Sequence, residues 1–195
     1  MSQLIESVED YVFGFLSETL STNLVFHNFS HTNEVVKAAW EIGQDSGLDK
    51  SEMDILIVAA WFHDCGYAYA YIGHEEESKK IAKSYLEKYN ANTDFIESVL
   101  ACIDATKFPQ HPRTIAEKVL CDADFFHFTK TSYPKYAIAI RKEFEVFLDK
   151  MYSEEEWQKV NAAMLTTHSY YTEYGKSVLS RFKDVNIELM NKINY

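Results

Sequence analysis

The sequence predicts an all-α protein, a single-domain bundle of about nine helices, and three observations support this prediction. Apolar residues recur at spacings of three and four along most of the chain, and the strict alternation that would predict β-strands is hard to find. No stretch rich in Pro, Gly or Ser divides the 195 residues. A chain of this length can form one substantial core, so we expect one domain over residues 1–195, with C-terminal helices over residues 133–195 packing on the preceding ones.

Capping residues and apolar spacing locate the helices in the first half of the chain. Asn28 or Ser30 can cap the second helix. Ser51 and Asp54 resemble a capping box at the start of the third, where residues 55–62 are apolar on every side, a pattern typical of a fully buried helix. The predicted helices begin near residues 4, 31, 51 and 74, and a tyrosine-rich loop over residues 67–71 precedes the last of them.

The second half of the chain continues the helical pattern. Asn92 or Thr93 can cap a fifth helix, and Pro109 and Pro112 mark the loop that follows it. The remaining predicted helices cover residues 115–126, then 134 to about 148, 153–164 and 173–193.

Composition and charge exclude several classes of protein. The formal charge of −11 disfavours a binder of nucleic-acid polymers, which needs a broad basic face, but it permits a small phosphorylated substrate. No apolar run approaches the roughly 20 residues that span a bilayer, and the acidic N-terminus lacks the features of a signal peptide. The three cysteines are odd in number and lie in apolar helical patterns, which favours reduced thiols. We therefore expect a cytoplasmic protein without membrane or nucleic-acid partners.

A His-Asp pair at the end of the most apolar segment is the first candidate functional feature. His63 and Asp64 follow residues 55–62, where an unpaired carboxylate is costly to bury. A metal ion is one of the few partners that accept both a carboxylate and a neutral imidazole. Adjacent residues point about 100° apart on a helix, so both can bind one ion only from its last turn. Gly66 is suited to ending that turn.

Two other segments supply further candidate ligands. His31 stands in the second predicted helix, and Asp122 and Asp124 stand in the sixth. These two aspartates lie about 200° apart on a helix, so only one can face a shared site, and spacing alone does not choose between them. Two imidazoles and two carboxylates suit Mn, Fe, Ni, Co, Zn or Mg, and such an ion lowers the pKa of a bound water toward about 7.

Five short motifs follow one another between residues 26 and about 126. They are Phe26-His27-Asn28-Phe29-Ser30-His31, Ala60-Trp61-Phe62-His63-Asp64-Cys65-Gly66-Tyr67, His74-Glu75-Glu76-Glu77-Ser78, Ile103-Asp104-Ala105-Thr106 and Cys121-Asp122-Ala123-Asp124. None is specific singly, but as an ordered set they resemble the HD superfamily of metal-dependent phosphohydrolases, in particular a predicted phosphohydrolase branch with a His-Asn-x-x-His motif. A looser match to the same branch, Thr172-x-x-Gly175 to Lys183-x-x-Asn186, follows near the C-terminus.

The resemblance implies a helical HD-type bundle that hydrolyses a phosphate ester or anhydride, often of a nucleotide. The metal ligands that it implies are His31, His63, Asp64 and Asp124, with Asp64 also catalytic. His27 is a candidate general acid or phosphate contact, or else an orienting residue. His74 is a candidate contact for a second metal or phosphate, and Lys107 and Arg113 are candidate phosphate contacts. For each of these three, the alternative is an ordinary exposed residue.

Departures from the family pattern bear on the alternatives. Asp104-Ala105-Thr106 replaces the doubled His that serves a second metal in dinuclear members, which disfavours a di-iron oxygenase. All four implied ligands and His27 are intact, which disfavours a non-catalytic, metal-stabilised module that binds a nucleotide. The tyrosines of residues 67–71 either stack on a base or cover the core. Three other histidines are interpreted as structural or surface residues: His111, His127 and His168. The substrate, the metal and the oligomeric state stay open.

Overall fold

A computed structural model of the protein describes residues 3–193, with side chains as far as residue 190. Over these residues the chain forms nine α-helices. They are α1 (Gln3–Thr19), α2 (Phe29–Asp45), α3 (Lys50–Phe62), α4 (His74–Lys88), α5 (Thr93–Ala105), α6 (Ile115–Asp124), α7 (Tyr133–Phe147), α8 (Glu154–Thr167) and α9 (Ser180–Ile193). Two short 3-10 turns, Cys65–Ala68 and Phe125–Thr129, and one π-helical turn, Gly175–Leu179, lie between them. The described residues contain no β-strand, which confirms the all-α prediction.

The start of α3 corrects one detail of the prediction from sequence. Asp49 caps the helix, because its side chain accepts the backbone N–H of Glu52 while the Glu52 carboxylate accepts the N–H of Asp49, both at 2.9 Å. The predicted box of Ser51 and Asp54 is wrong. Ser51 already lies inside the helix, whereas a cap needs the extended backbone that Asp49 has, with φ −74° and ψ 175°.

Asparagine caps begin two other helices. Asn28 accepts the N–H groups of Ser30 and His31 at 2.9 and 3.4 Å, so His31 lies in the first turn of α2. Asn92 caps α5 by accepting the N–H of Phe95 at 2.8 Å. In both helices one of the two predicted candidate caps is the one used.

The end of α6 differs from the prediction, which carried this helix to residue 126. The α-helix stops at Asp124, and the chain tightens into the 3-10 turn because Phe125 leaves the helical conformation, with φ −90° and ψ 14°. Asp124 therefore belongs to the last turn of the helix. The last predicted helix, over residues 173–193, is also interrupted, since the π-helical turn precedes α9.

Two clusters of buried apolar side chains form the core. The larger surrounds α3, whose segment from Leu56 to Phe62 is buried throughout, as its uniform apolar pattern predicts. The smaller joins α7, α8 and the turn after α6 through Phe128, Tyr133 and Trp157. Phe26, just before α2, also belongs to this smaller cluster. The C-terminal helices are thus packed against the segment that leads into α2.

Two further findings concern the three cysteines and the apolar character of the helices. Cys65, Cys102 and Cys121 are buried and form no disulfide, which agrees with the expectation of reduced thiols. Burial raises the pKa of the Cys102 thiol to about 12, so this side chain is an inert part of the core. Within residues 3–193 no helix combines the length and the apolar character that crossing a membrane requires.

Candidate metal centre

The ends of three helices bring three of the predicted ligands together. His31 comes from the first turn of α2, His63 directly follows α3, and Asp124 ends α6. One ligand atom of each residue lies within 4.8 Å of the other two. Both histidines are buried, whereas the Asp124 side chain keeps 22% of its exposure. The cluster is therefore accessible from solvent at this carboxylate.

Asp64, the fourth predicted ligand, joins the same cluster. Its Oδ2 atom lies 3.4 Å from His31 Nε2 and 3.2 Å from His63 Nε2. Asp124 Oδ1 lies 3.3 and 3.7 Å from the same two nitrogens. The two imidazoles and two carboxylates that the sequence singled out thus converge on one point.

A glycine allows a fifth polar side chain to approach this cluster. A Cβ atom on Gly66 would lie 1.9 Å from the carbonyl oxygen of His74, so no other residue fits between the turn after α3 and the start of α4. The Gly66 N–H donates to Ser78 Oγ at 2.8 Å and holds the two segments together. The close approach brings His74 Nε2 to 3.5 Å from Asp64 Oδ1, whereas His31 and His63 pair with Oδ2 of the same carboxylate.

Unpartnered buried atoms indicate what the cluster lacks. His63 Nδ1 donates to the Ala60 carbonyl at 2.8 Å, so in the neutral ring the lone pair is on Nε2 and faces the cluster. His31 Nε2, His63 Nε2 and Asp64 Oδ2 are buried without a hydrogen-bond partner among the described residues. Lone pairs of nitrogen and oxygen facing one another at these distances repel unless a cation lies between them. The donor set and its geometry therefore fit a metal ion.

The electrostatics lead to the same conclusion. Burial disfavours a charged His31, but its contacts with the Asp124 and Asp64 carboxylates outweigh burial and raise the pKa to about 9. The same carboxylates raise the pKa of His63 in spite of its burial. Burial opposes ionisation of Asp64 as well, yet the neighbouring His63 holds the pKa of this carboxyl below its usual range. The pocket thus stabilises positive charge, supplied either by protons or by a metal.

A buried glutamate that sequence reasoning missed holds the predicted acid, His27. Glu143, on α7, is fully buried, and its Oε2 lies 2.5 Å from His27 Nδ1. Its Oε1 accepts the backbone N–H groups of Phe26 and His27 at 2.6 and 3.0 Å. One signal could have found it, because Glu143 continues the buried stripe of α7 formed by Tyr133, Ala137 and Ile140, where an acid is out of place.

Residues 28–129, just over half of the chain, match the HD domain family. This chain belongs to the HD domain family. The matched residues include all four predicted ligands: His31, His63, Asp64 and Asp124. The position of Glu143 on α7 lies beyond them. A search of curated protein sequences finds no significant match.

Solved structures share the fold of this HD domain over nearly its whole length. A predicted HD superfamily hydrolase from an uncultured Thermotogales bacterium is 18% identical, with 97% of this chain and 90% of that chain covered and a TM-score of 0.62. The Lin1889 protein of Listeria innocua is 17% identical, with 100% and 97% covered and a TM-score of 0.68. Bacillus subtilis YpgQ, in complex with ADP, is 14% identical, with 97% and 96% covered and a TM-score of 0.66. At these identities the likeness establishes the fold.

The tyrosine-rich loop of the HD domain packs on the site rather than standing free. The Tyr67 ring stacks on His74 with centroids 3.8 Å apart and on His27 at 4.2 Å. Tyr71 stacks on Phe147 at 4.8 Å, and its hydroxyl donates to Glu143 Oε2 at 3.3 Å. Of the two interpretations of this loop, packing holds for Tyr67 and Tyr71, whereas Tyr69 is 66% exposed.

Asp122 lies outside the cluster of predicted ligands. Its carboxylate accepts the backbone N–H groups of Tyr171 and Thr172 at 2.7 and 2.9 Å, and the Thr172 hydroxyl at 2.7 Å. A Cβ atom on Gly175 would lie 2.3 Å from Asp122 Oδ2, so this glycine allows the close approach. The spacing left Asp122 and Asp124 as alternatives, and the geometry turns only Asp124 toward the histidines.

The looser C-terminal motif supplies buried contacts that hold the chain together. Lys183 Nζ donates to the His168 carbonyl at 2.5 Å. The Asn186 side-chain amide donates to the carbonyls of Phe128 and Lys130 at 2.7 and 2.9 Å. Lys183 therefore binds α9 to the residue that follows α8, and Asn186 binds it to the segment that precedes α7.

The structure does not bring Lys107 and Arg113 into the cluster of predicted ligands. Both line an open cavity of about 400 Å³ between α5 and α6, together with Phe108 and His111. The residues that line this cavity include none of the four predicted ligands. Lys107 Nζ also lies 3.5 Å from Glu76 Oε1, in an exposed ion pair. Their role as phosphate contacts stays a prediction.

One histidine interpreted as structural lies directly beside the cluster. The His127 ring is buried 6.1 Å from the His31 ring, and its Nδ1 donates to the Asp124 carbonyl at 3.0 Å. Burial, followed by the charge of His31, lowers the pKa of His127 to about 3, so the ring is neutral. His127 thus supports the turn that carries Asp124.

Proposed function

We propose that this HD domain is a metal-dependent phosphohydrolase that acts on a nucleotide or another small phosphoester. The observation that carries the proposal is the convergence of two buried nitrogens, His31 Nε2 and His63 Nε2, with carboxylate oxygens of Asp64 and Asp124 at 3.2 to 3.7 Å. The two nitrogens have no hydrogen-bond partner among the described residues. Membership of the HD domain family supports the same reaction class.

The four predicted ligands would hold one divalent cation, and Mn, Fe, Ni, Co, Zn and Mg all suit the donor set. Such a cation supplies Lewis-acid activation of water and of a phosphoryl oxygen. Ala60 orients the His63 ring through its carbonyl. We assign to Asp64 a second role, as the acceptor of the proton that the attacking water loses.

His27 has the complementary role of donating a proton to the oxygen that leaves phosphorus. Its ring lies 5.8 Å from the His31 ring, within reach of a substrate bound at the cluster. His74, whose Nε2 lies 3.5 Å from Asp64 Oδ1, is proposed to contact phosphate. We keep Lys107 and Arg113 as proposed phosphate contacts only for a substrate long enough to reach their cavity.

The nucleotide is the proposed substrate class for two reasons. The resemblance of the motifs to HD phosphohydrolases favours it, and YpgQ, which shares the fold, is described in complex with ADP. The net charge of −11 argues against a nucleic-acid polymer as the partner. We further propose a cytoplasmic location, on the basis of the three unpaired, buried cysteines.

Phosphate release from metal-loaded protein tests the proposal. Protein stripped of metal is reloaded with Mn, Fe, Ni, Co, Zn or Mg and offered nucleoside mono-, di- and triphosphates and small aryl phosphates. We expect turnover of at least one substrate, its loss on chelation and its return on reloading. Full metal occupancy without release of phosphate from any substrate would overturn the proposal, and tight nucleotide binding in that case would favour a non-catalytic binding module.

A di-iron oxygenase is the second candidate, and one observation favours it. The two oxygens of Asp64 face different histidines, Oδ2 toward His31 and His63 and Oδ1 toward His74, as a carboxylate shared by two metals would. Asp104, which stands where dinuclear relatives have the doubled His, is instead bound to Lys79 at 2.5 Å. Two iron atoms per chain, with oxygen consumption, would favour this candidate over the first.

A further inference from the structure

The carboxylate of Glu143 joins three separate segments of the chain. It accepts hydrogen bonds from the backbone N–H groups of Phe26 and His27, from His27 Nδ1 and from the Tyr71 hydroxyl. A fully buried carboxylate is costly unless its lone pairs are satisfied, and these four donors satisfy it. Because α7 carries Glu143, a helix beyond the matched HD residues reaches into the candidate site.

The network restricts the orientation of the His27 ring. Two backbone N–H groups hold Oε1, which leaves Oε2 directed at Nδ1 at 2.5 Å. Burial opposes ionisation of Glu143, but its hydrogen bonds with His27 and the backbone outweigh burial and hold the pKa below its ordinary value. An ionised carboxylate only accepts hydrogen bonds, so Nδ1 must carry a hydrogen. Stacking on Tyr67 and an edge contact with Phe26, at 4.2 and 4.7 Å, hold the ring plane.

We propose that Glu143 is a positioning residue for His27: its carboxylate accepts Nδ1–H and pairs with the doubly protonated ring, whose second hydrogen, on Nε2, is presented to the leaving oxygen of a bound phosphoester. This inference rests on the proposed function, since it needs a leaving group at the site. As water oxygen bonds to phosphorus and the ester P–O bond breaks, the leaving oxygen takes the Nε2 proton. The water proton passes to Asp64 and on to solvent, and solvent returns a proton to His27.

Substitution Glu143→Gln separates positioning from simple structural support. The glutamine carbonyl can still accept the two backbone N–H groups, but its NH₂ group would then face Nδ1, which must accept a hydrogen bond and so cannot carry a hydrogen. His27 would be held as the neutral ring, which is a much weaker acid than the doubly protonated ring. We expect kcat to fall about 100-fold for phenyl phosphate, whose leaving oxygen needs a proton. For 4-nitrophenyl phosphate, whose leaving group departs as a stable anion, we expect a change of less than about threefold. Metal content should not change.

Three further variants serve as controls. His27→Asn should show the same dependence on the leaving group, and adding Glu143→Gln to it should cause little further loss, because the two residues act as a unit. Tyr71→Phe removes only the longer hydrogen bond of 3.3 Å and should have a small effect. Asp122→Asn alters another buried carboxylate that binds backbone N–H groups but no imidazole, and it should affect both esters by the same factor.

Nitrogen-15 NMR of the His27 ring in the wild-type protein provides a second test, which needs neither activity nor a folded Glu143 variant. We expect a protonated Nδ1, and an Nδ1 without hydrogen would overturn the inference. Equal slowing of both esters by Glu143→Gln, or full additivity with His27→Asn, would overturn it as well. Absence of turnover by wild-type protein would instead count against the proposed function, and the NMR result would then decide the inference alone.

Discussion

Two carboxylates on α6 are two residues apart but have opposite surroundings. Asp122 is satisfied by the chain itself, with three hydrogen bonds from Tyr171 and Thr172. Asp124 instead faces His31 Nε2 and His63 Nε2 at 3.3 and 3.7 Å, nitrogens that have no other partner among the described residues. The first arrangement is complete without a ligand, whereas the second is satisfied only by added positive charge, from protons or from a cation. An acid in the fold is therefore a candidate ligand when the buried atoms that it faces lack other partners, not because it is buried itself.

The largest effect is expected from breaking the second arrangement. Asp124→Ala should lower metal affinity at least about 100-fold, since loss of even an outer-shell partner of a metal ligand costs about 10- to 100-fold. Phosphate release should be lost in parallel. Metal content by elemental analysis and calorimetric titration measure the effect, with Asp122→Asn as the matched control. Wild-type metal affinity in Asp124→Ala would contradict the assignment.

A smaller effect, on stability rather than on metal binding, is expected at Asp122. Asp122→Ala leaves three donors without an acceptor, two of them buried on Thr172, and should lower the free energy of unfolding by about 3 kcal/mol. Urea denaturation measures this loss, and metal affinity of the folded protein should stay within a few-fold of wild type. If the variant lost its metal as completely as Asp124→Ala, the distinction between the two carboxylates would be wrong.

The smallest effect concerns His168, which tests whether an unpartnered imidazole by itself marks a ligand. Both of its ring nitrogens are buried without a partner among the described residues. The ring contacts Phe125 at 4.6 Å and Phe128 at 5.2 Å, and it forms no ion pair with a carboxylate among the described residues. Burial, followed by the charge of Lys183, lowers the pKa of His168 to about 4. We expect a structural role, so His168→Phe should bind metal as wild type does.

The sign of the pH dependence follows from that lowered pKa. The unfolded protein binds a proton at His168 below about pH 6.5, whereas the folded protein resists protonation until about pH 4. The contribution of His168 to stability is therefore complete above pH 6.5 and is lost as the pH falls toward 4. As the pH falls from about 6.5 to 4, the free energy of unfolding of His168→Phe should therefore rise relative to that of wild type. Urea denaturation at several pH values measures this difference. A difference that stays constant with pH would contradict the shift.

Local features of the sequence predicted most of the fold. The all-α class followed from apolar spacing, and Asn28 and Asn92 were each one of two candidate caps, because a cap depends on neighbours within three residues. Errors arose where two local solutions competed, as at Asp49 and Ser51, or where a helix tightened, as after Asp124. Both outcomes depend on backbone angles that side-chain spacing does not specify.

The sequence by itself determined the helical class, the buried character of α3 and the short motifs that carry His31, His63, Asp64 and Asp124, because these depend on residues close along the chain. Spacing left Asp122 and Asp124 open, the resemblance favoured Asp124, and the tertiary structure turns Asp124 toward the histidines. Only the tertiary structure decided that Glu143 holds His27 and that Lys107 and Arg113 line another cavity. Each of these depends on which distant segments pack together. That packing depends on the whole core, so the pattern of residues in one segment does not predict it.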